Sequence, residues 1–335
     1  MPREILVLRE AEIRRLLDPL GCLEAVEAAL AAYSTGRAEL PAVIQLDVPE
    51  HRGEIHIKAG HLHAGAHYAV KIVSGFPGNE TLGLPPSGGL VLAFDARTGH
   101  PRALLLDNGY ITDLRTGAAG AVAAKHLARQ DAAVAAVIGT GAQARHQARA
   151  LALVRPLVEI RVFGRNPEKA RACAQDIAAQ VPSAGRLKVT VAGSIREAMS
   201  GADIVVTATA SREPLVLADW VLPGMHLTAV GSDQPDKQEL HPDVLARADV
   251  LVADSRPQCL RLGEIHHAVA QGALREQDID AELGEIVAGR APGRRGPADI
   301  TVCDLTGVGV QDVAAANVVL ARALEEGAGQ RLGLA

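Results

Sequence analysis

The sequence predicts an α/β chain in which a parallel sheet, covered by helices on both faces, is inserted into an α+β domain. Three observations carry that prediction. From about residue 132 onward, short apolar runs alternate with helical patterns. Between 42 and 106 the pattern is instead one of short strands separated by Gly and Pro. A glycine-rich turn, Gly139-x-Gly141-x-x-Ala144, joins the first of the later strands to the helix after it. Near-continuous apolar strands separated by helices are the pattern of a sheet buried on both faces.

The elements follow in order. Ile13, Leu16, Leu17, Leu20, Leu23, Val26, Ala29, Leu30 and Tyr33 recur at helical spacing over 10–35, with a break near Pro19-Leu20-Gly21. The runs "GEIHIKAG", "HYAVKIVSG" and "GGLVLAFDARTGHPRALLLD" read as strands, the last containing two joined by the "ARTG" turn. "TDLRTGAAGAVAAKHLAR" is an Ala-rich helix for which Thr112 is the expected N-cap. Then "AAVAAVIGTG" pairs with "AQARHQARALALV", and "VEIRVFGR" with "NPEKARACAQDIAAQV". Further apolar strands come at "KVTVA", "ADIVVTATA", "MHLTAVG", "DVLVAD" and "DITVCDLTG". The last helix, "VQDVAAANVVLARALEEG", is expected to pack back on the first domain. The expected domains are therefore 1–115 with 312–335, and 116–311.

Composition narrows the function classes. Of 335 residues, 48% are hydrophobic but only 2% aromatic, so the cores must be built from Ala, Val, Leu and Ile. Lys and Arg number 34 against 39 Asp and Glu, a net charge of −5 with no basic block. That argues against a nucleic-acid binder and against a polybasic membrane anchor. No apolar run approaches the ~20 residues a bilayer span requires. The start, "MPREILVLREAEIRR", lacks a signal-peptide core. Cys22, Cys173, Cys259 and Cys303 lie far apart and form no CxxC pair, which predicts a reduced, cytoplasmic protein with packing thiols.

The glycine turn is the strongest local motif. It follows an apolar strand and opens a helix, the context in which it binds a dinucleotide in a Rossmann-type domain. Gly139 permits the tight turn, Gly141 lets a pyrophosphate approach the backbone, and Ala144 allows close packing of helix on strand. The helix N-terminus adds amide donors and a positive dipole. An acid that grips the adenosine ribose normally ends the second strand, ~20 residues beyond the glycines. Here that place is Gly164, followed by Arg165 and Asn166. A carboxylate would repel a 2′-phosphate, whereas an arginine pairs with one. NADP(H) is therefore the preferred cofactor, with NAD(H) the alternative if Arg165 is only a solvated loop residue.

Three charged residues stand where chemistry could occur. Asp233 in "AVGSDQPDKQELH" follows an apolar strand, at the edge where open α/β sheets bind ligands. Lys71 in "YAVKIVSG" lies between Val70 and Ile72 on a strand, and Arg115 in "TDLRTG" lies near a helix start. Taken singly, each also reads as structural: an exposed cap, a snorkelling lysine, a helix-surface arginine.

Together the segments "VKIVSGFPGN", "LLLDNGYITDLRTGAAGAVAAKHLA", "VIGTGAQA", "GADIVVTATA", "AVGSDQPDKQELH" and "TGVGVQD" resemble the ornithine cyclodeaminase/μ-crystallin family over nearly the whole chain. The resemblance implies a homodimer with a Rossmann domain inserted into a substrate and dimerisation domain, acting on a small amino-acid or imine substrate. It implies that Lys71 and Arg115 hold and polarise that substrate, and that Asp233 is the catalytic acid/base of the cyclodeaminases, where μ-crystallin-like sequences carry a non-acidic residue. Ala142, Gln143, Thr209, Val230, Gly231 and Lys237 match nucleotide contacts. One departure stands out. Where many members carry a carboxylate-binding arginine before the first strand, "LPAVIQL" has Val43, and Lys58 in "IHIKAG" is the candidate replacement. That exchange and "DLTG" resemble the cyclodeaminase-like proteins of ectoine utilisation.

The implied reaction is hydride loss from Cα to give an α-imine, deprotonation of a distal ammonium by Asp233, ring closure with loss of ammonia, and return of the hydride. Two alternatives stay open: an NADPH-dependent ketimine reductase or amino-acid dehydrogenase, and a non-catalytic nucleotide-binding protein. The histidines His51, His56, His61, His63 and His67 also invite a metal reading, with His61 and His63 at a spacing that shares a strand face. No acid or cysteine partner joins them in the pattern, so no metal is expected. His266 and His267 fall in a helical stretch.

Overall fold

The alternation of "GEIHIKAGHL" and "HYAVKIVSG" becomes two antiparallel strands, Gly53–Leu62 and His67–Gly75, in a register that sets Lys58 opposite Lys71. In the computed structural model, which describes residues 4–181 and 187–333, these strands belong to the first of two compact units, Met1–Arg115 with Val308–Ala335. The second unit is Thr116–Gly307, so the chain leaves the first unit and returns to it once.

The sheet of the first unit runs in the order Gln330–Gly333, Glu4–Arg9, Pro101–Leu106, Ser87–Asp95, His67–Gly75, Gly53–Leu62 and Ala38–Glu39. Ile44–Val48 also pairs with Gly53–Leu62. Its neighbours are antiparallel except for Glu4–Arg9 beside Pro101–Leu106. The "ARTG" turn is closed by Asp95, whose Oδ1 accepts from the amides of Arg97 and Thr98 at 3.0 Å each. The helix Gly309–Glu326 packs on Pro19–Ser34 and on the strand Gly53–Leu62, burying Val310, Val313, Val319 and Leu320. Its first residue has no room for a side chain: a Cβ on Gly309 would stand 2.5 Å from the Ala59 carbonyl oxygen. That close approach brings the first turn of the helix against the strand that carries Lys58.

In the second unit all eight strands of the main sheet are parallel. The order is Lys188–Val191, Glu159–Phe163, Val134–Ile138, Ile204–Thr207, His226–Ala229, Thr301–Asp304, Val250–Ala253 and Ala281–Glu282. From Val134–Ile138 the chain first builds outward on one side and then crosses to the other, which makes the switch point where open α/β sheets bind ligands. This is the Rossmann-type domain that the alternating pattern predicts. The core contains Ile138, Val205, Leu227, Leu251 and Val302, as expected for a chain short of aromatics.

One expected cap is corrected. The Ala-rich helix starts at Tyr110, so Thr112 lies inside its first turn. Asp107 is the capping residue: its Oδ2 accepts from the Ile111 amide at 2.9 Å. The intervening Asn108 and Gly109 take left-handed backbone angles, φ 51° and 87°, a reversal that a reading of the helical pattern alone passes over. All four cysteines are buried free thiols. Among the described residues no helix is long and apolar enough to cross a membrane.

Candidate active site

The glycine turn opens onto a cavity of about 300 Å³ at the carboxyl ends of Val134–Ile138 and Ile204–Thr207, with Gly139, Gly141, Gly164, Arg165 and Thr209 in its wall. Gly139 has φ 136°, and a Cβ there would overlap the Ala208 carbonyl, so the position requires glycine. Gly141, in contrast, faces open space and is the N-cap of the 13-residue helix Ala142–Val154 without a side-chain cap bond. The amides that follow it, Ala142 and Gln143 among them, belong to a first turn that has no intrahelical acceptors, the arrangement that suits an anion. Arg145 braces the loop from behind, with Nη1 donating to the Thr140 carbonyl at 2.6 Å and Nε to Asp176 at 2.7 Å. The fit to a dinucleotide is therefore good: a tight turn and a bare backbone at the N-cap of a helix line one cavity.

At the end of the second strand, Arg165 is exposed on the cavity wall. Asn166 follows it and caps a helix. Its Oδ1 accepts from the amides of Glu168 and Lys169 at 2.9 and 3.0 Å and caps the helix Pro167–Gln180. A Cβ on Gly164 would overlap Cγ2 of Thr140, so the place where an acid would end this strand is filled by the methyl group of the glycine turn's own threonine.

The first unit carries a buried charge cluster. Lys71 and Arg115 are 2% and 4% exposed. Lys71 Nζ at 3.0 Å and Arg115 Nε at 2.9 Å both donate to the same atom, Oδ1 of Asp312, while Arg115 Nη1 donates to Gln311 Oε1 at 2.8 Å. Asp312 Oδ2 is buried and has no hydrogen-bond partner among the described residues. Burial, aided by Arg115 and Lys58 and opposed by Asp312, brings the Lys71 ammonium down to about 7. Burial would raise Asp312, but Arg115, Lys71 and Lys58 together hold it below the usual carboxylate range. Two buried cations thus share one carboxylate, with Lys58 across the strand pair. A second anion would complete the cluster, because unbalanced buried charge is costly.

A sequence model of the ornithine cyclodeaminase/mu-crystallin family matches residues 3–327. The chain belongs to this family. A protein of Sinorhizobium fredii named as an uncharacterized cyclodeaminase is 45% identical over 327 residues, 96% of this chain and 97% of that one. Among solved structures, Thermococcus litoralis Δ(1)-pyrroline-2-carboxylate reductase, in complex with NADH and L-proline, superposes with a TM-score of 0.92. It is 34% identical and covers 97% of this chain and 99% of its own. An archaeal alanine dehydrogenase dimer with bound NAD reaches a TM-score of 0.91 at 35% identity, covering 99% and 100%. These relatives are enzymes, and so is this member of the family.

In this cyclodeaminase-family chain Asp233 is exposed, its side chain 48% accessible, and its Oδ1 lies 2.8 Å from Lys237 Nζ. The loop between them is held by Ser232 Oγ, which donates to the Lys237 carbonyl, and by His267 Nε2, 2.8 Å from the same oxygen. Lys237 and Asp233 therefore form one ion pair. Val230 and Gly231 follow the strand His226–Ala229, and the Gly231 amide donates to Glu239 at 2.8 Å.

Asp312, Gln311 and Glu239 are the residues that sequence reasoning missed. The signal for Asp312 was present as a lone acid in the apolar "VQDVAAANVV". The histidines do not gather. His63 sits 3.0 Å from Glu39, and the His61 and His63 rings are 6.2 Å apart. Among the described residues no group of three or more His, Cys, Asp or Glu is placed to hold a metal.

Proposed function

We propose that this enzyme transfers hydride at the α-carbon of a small α-amino or α-imino acid, using a nicotinamide dinucleotide held by the second unit. The observation that carries the proposal is the pair of buried cations Lys71 and Arg115 on a single carboxylate oxygen, a cluster short of one negative charge. The substrate carboxylate supplies it. Bound at the glycine turn, the nicotinamide cofactor supplies the hydride acceptor and donor. Lys71 and Arg115 fix the carboxylate and hence the direction of the Cα–H bond, which is the main contribution a protein makes to such a step. Asp312 positions both cations, and Lys58 adds positive charge from the neighbouring strand.

Two outcomes share that step. We adopt cyclodeamination, in which the Asp233 carboxylate takes the proton of a distal ammonium and so frees the amine to attack the α-imine, ammonia leaves, and the cyclic imine takes the hydride back. The similarity to the Thermococcus litoralis reductase favours a second reading, in which hydride moves once to an imine and Asp233 binds or protonates the substrate nitrogen. An assay separates them. Diamino acids and cyclic imines are each offered with NAD(P)+ or NAD(P)H while absorbance and ammonia are followed. Ammonia release without net cofactor change supports the first outcome, net NAD(P)H consumption the second. No turnover with either substrate set refutes both of these outcomes.

The preference for NADP(H) rests on Arg165 at the cavity wall and on the absence of an acid at Gly164. A homodimer belongs to the same proposal, supported by the dimeric archaeal relative. Four buried free thiols fit a reducing, cytoplasmic setting.

A further inference from the structure

Two loops at the carboxyl edge of the parallel sheet hang on one side chain. Glu239, on the short strand Gln238–Leu240, is fully buried. Its Oε1 accepts from the Thr209 amide at 2.6 Å, and its Oε2 accepts from the Gly231 amide at 2.8 Å. Thr209 follows the strand Ile204–Thr207 and lines the cavity of the glycine turn; Gly231 follows the neighbouring strand His226–Ala229. A Cβ on Gly231 would overlap the Thr209 backbone and the Glu239 carboxylate, so the two loops are in contact around that group.

The strand bearing Glu239 is itself pinned. Glu264, buried on the helix Gly263–Ala270, accepts from the amides of Glu239 and Leu240 at 2.8 and 2.9 Å. Gln238–Leu240 pairs only with Arg212–Val216 among the described strands, outside the main sheet, so this second carboxylate ties it to the helix. Burial pushes the Glu239 carboxyl up, while the Thr209 and Thr207 side chains and, after them, the Thr209 and Gly231 amides pull it back.

We propose that Glu239 is a positioning residue for the dinucleotide: it fixes the Thr209 and Gly231 loops against each other, and these loops hold the half of the cofactor beyond the glycine turn. The inference rests on the reading that the cavity takes a dinucleotide. The hydrogen bonds of Glu239 end on the amides of Thr209 and Gly231 and not on the glycine turn or the end of the second strand, so its effect on the ligand runs through those two loops. A group that merely supported the fold would weaken both halves alike.

The test compares affinities of Glu239→Gln and wild type for NADPH, NADH and 2′,5′-ADP by calorimetry, with circular dichroism alongside. Glutamine has a single acceptor oxygen and presents an NH2 to one of the two amides. Losing a charged hydrogen bond to a buried amide predicts that the variant binds both dinucleotides about tenfold or more weakly. It should keep the affinity for 2′,5′-ADP within about twofold. If Glu239→Gln does not fold, Glu239→Asp, which keeps the charge but cannot span both amides, gives the same comparison. Unchanged dinucleotide affinity overturns the proposal, as does an equal loss for all three ligands. If wild type binds 2′,5′-ADP but neither dinucleotide, Glu239 has no such role; if it binds none of the three, the nucleotide reading itself fails.

Discussion

Replacing Asp312 by Asn keeps the shape of the buried cluster and removes its single negative charge. Asp312 Oδ1 lies 3.0 Å from Lys71 Nζ and 2.9 Å from Arg115 Nε. At 3 Å and an effective dielectric near 20, each pair is worth roughly 5 kcal/mol before desolvation. Breaking a buried pair leaves about 3–5 kcal/mol uncompensated. The two cations do not respond equally. Arginine keeps its proton, whereas Lys71, already down to about 7 with Asp312 beside it, can discard the penalty by deprotonating. The loss is therefore expected in proton affinity rather than as collapse of the fold. If Lys71 binds the substrate carboxylate as an ammonium, wild-type kcat/KM declines above about pH 7. In Asp312→Asn that decline moves toward acid, and each pH unit of displacement lowers kcat/KM at about pH 8 roughly tenfold. The assay is kcat/KM against pH with the imine or diamino-acid substrate, beside thermal unfolding of the same samples. A uniform loss with the descending limb unmoved would refute the argument, since it would mean that Asp312 does not govern the Lys71 proton.

Three further outcomes follow from the same geometry. Lys71→Met is expected to gain stability relative to wild type, because an ammonium whose folded pKa is depressed costs most where it is charged in both states. The gain is full below about pH 7 and fades as pH rises toward 10.5, so urea melts whose difference grows with pH would contradict it. Arg165→Asp should weaken NADPH binding roughly ten- to hundredfold through loss of its charge-assisted contacts, while NADH binding stays; equal loss of both would remove Arg165 from 2′-phosphate recognition. Asp233→Asn should bind dinucleotide normally but lose about a hundredfold or more in kcat, and near-normal ammonia release by this variant would take Asp233 out of the proton transfer.

Most of the architecture was legible because it is written locally. Parallel strands such as "VAAVI" and "VLVA" are apolar at every position, and a glycine turn declares itself within six residues. The helix break near Pro19 appears as the gap between Glu10–Leu16 and Pro19–Ser34. What escaped depends on distance along the chain. Asp312 stands 241 residues from Lys71 and 197 from Arg115, and no periodicity joins acids so far from their partners. A lone buried charge can leave a trace, an acid in an otherwise apolar stretch, as Asp312 does; Glu239, among the polar residues of "SDQPDKQELH", leaves none. Thr112 was misread for the opposite reason. It is a good cap by residue type, but Asp107 reaches the Ile111 amide through a left-handed reversal at Asn108 and Gly109. That the Asn166 oxygen serves two amides is likewise not announced by its residue type.

The methyl group of Thr140 packed where a side chain at Gly164 would begin constrains how this lineage can drift. An acid at that site requires the threonine to shrink or turn aside. Selection for a different cofactor pool would then act on two positions twenty-four residues apart in the chain as a coupled pair.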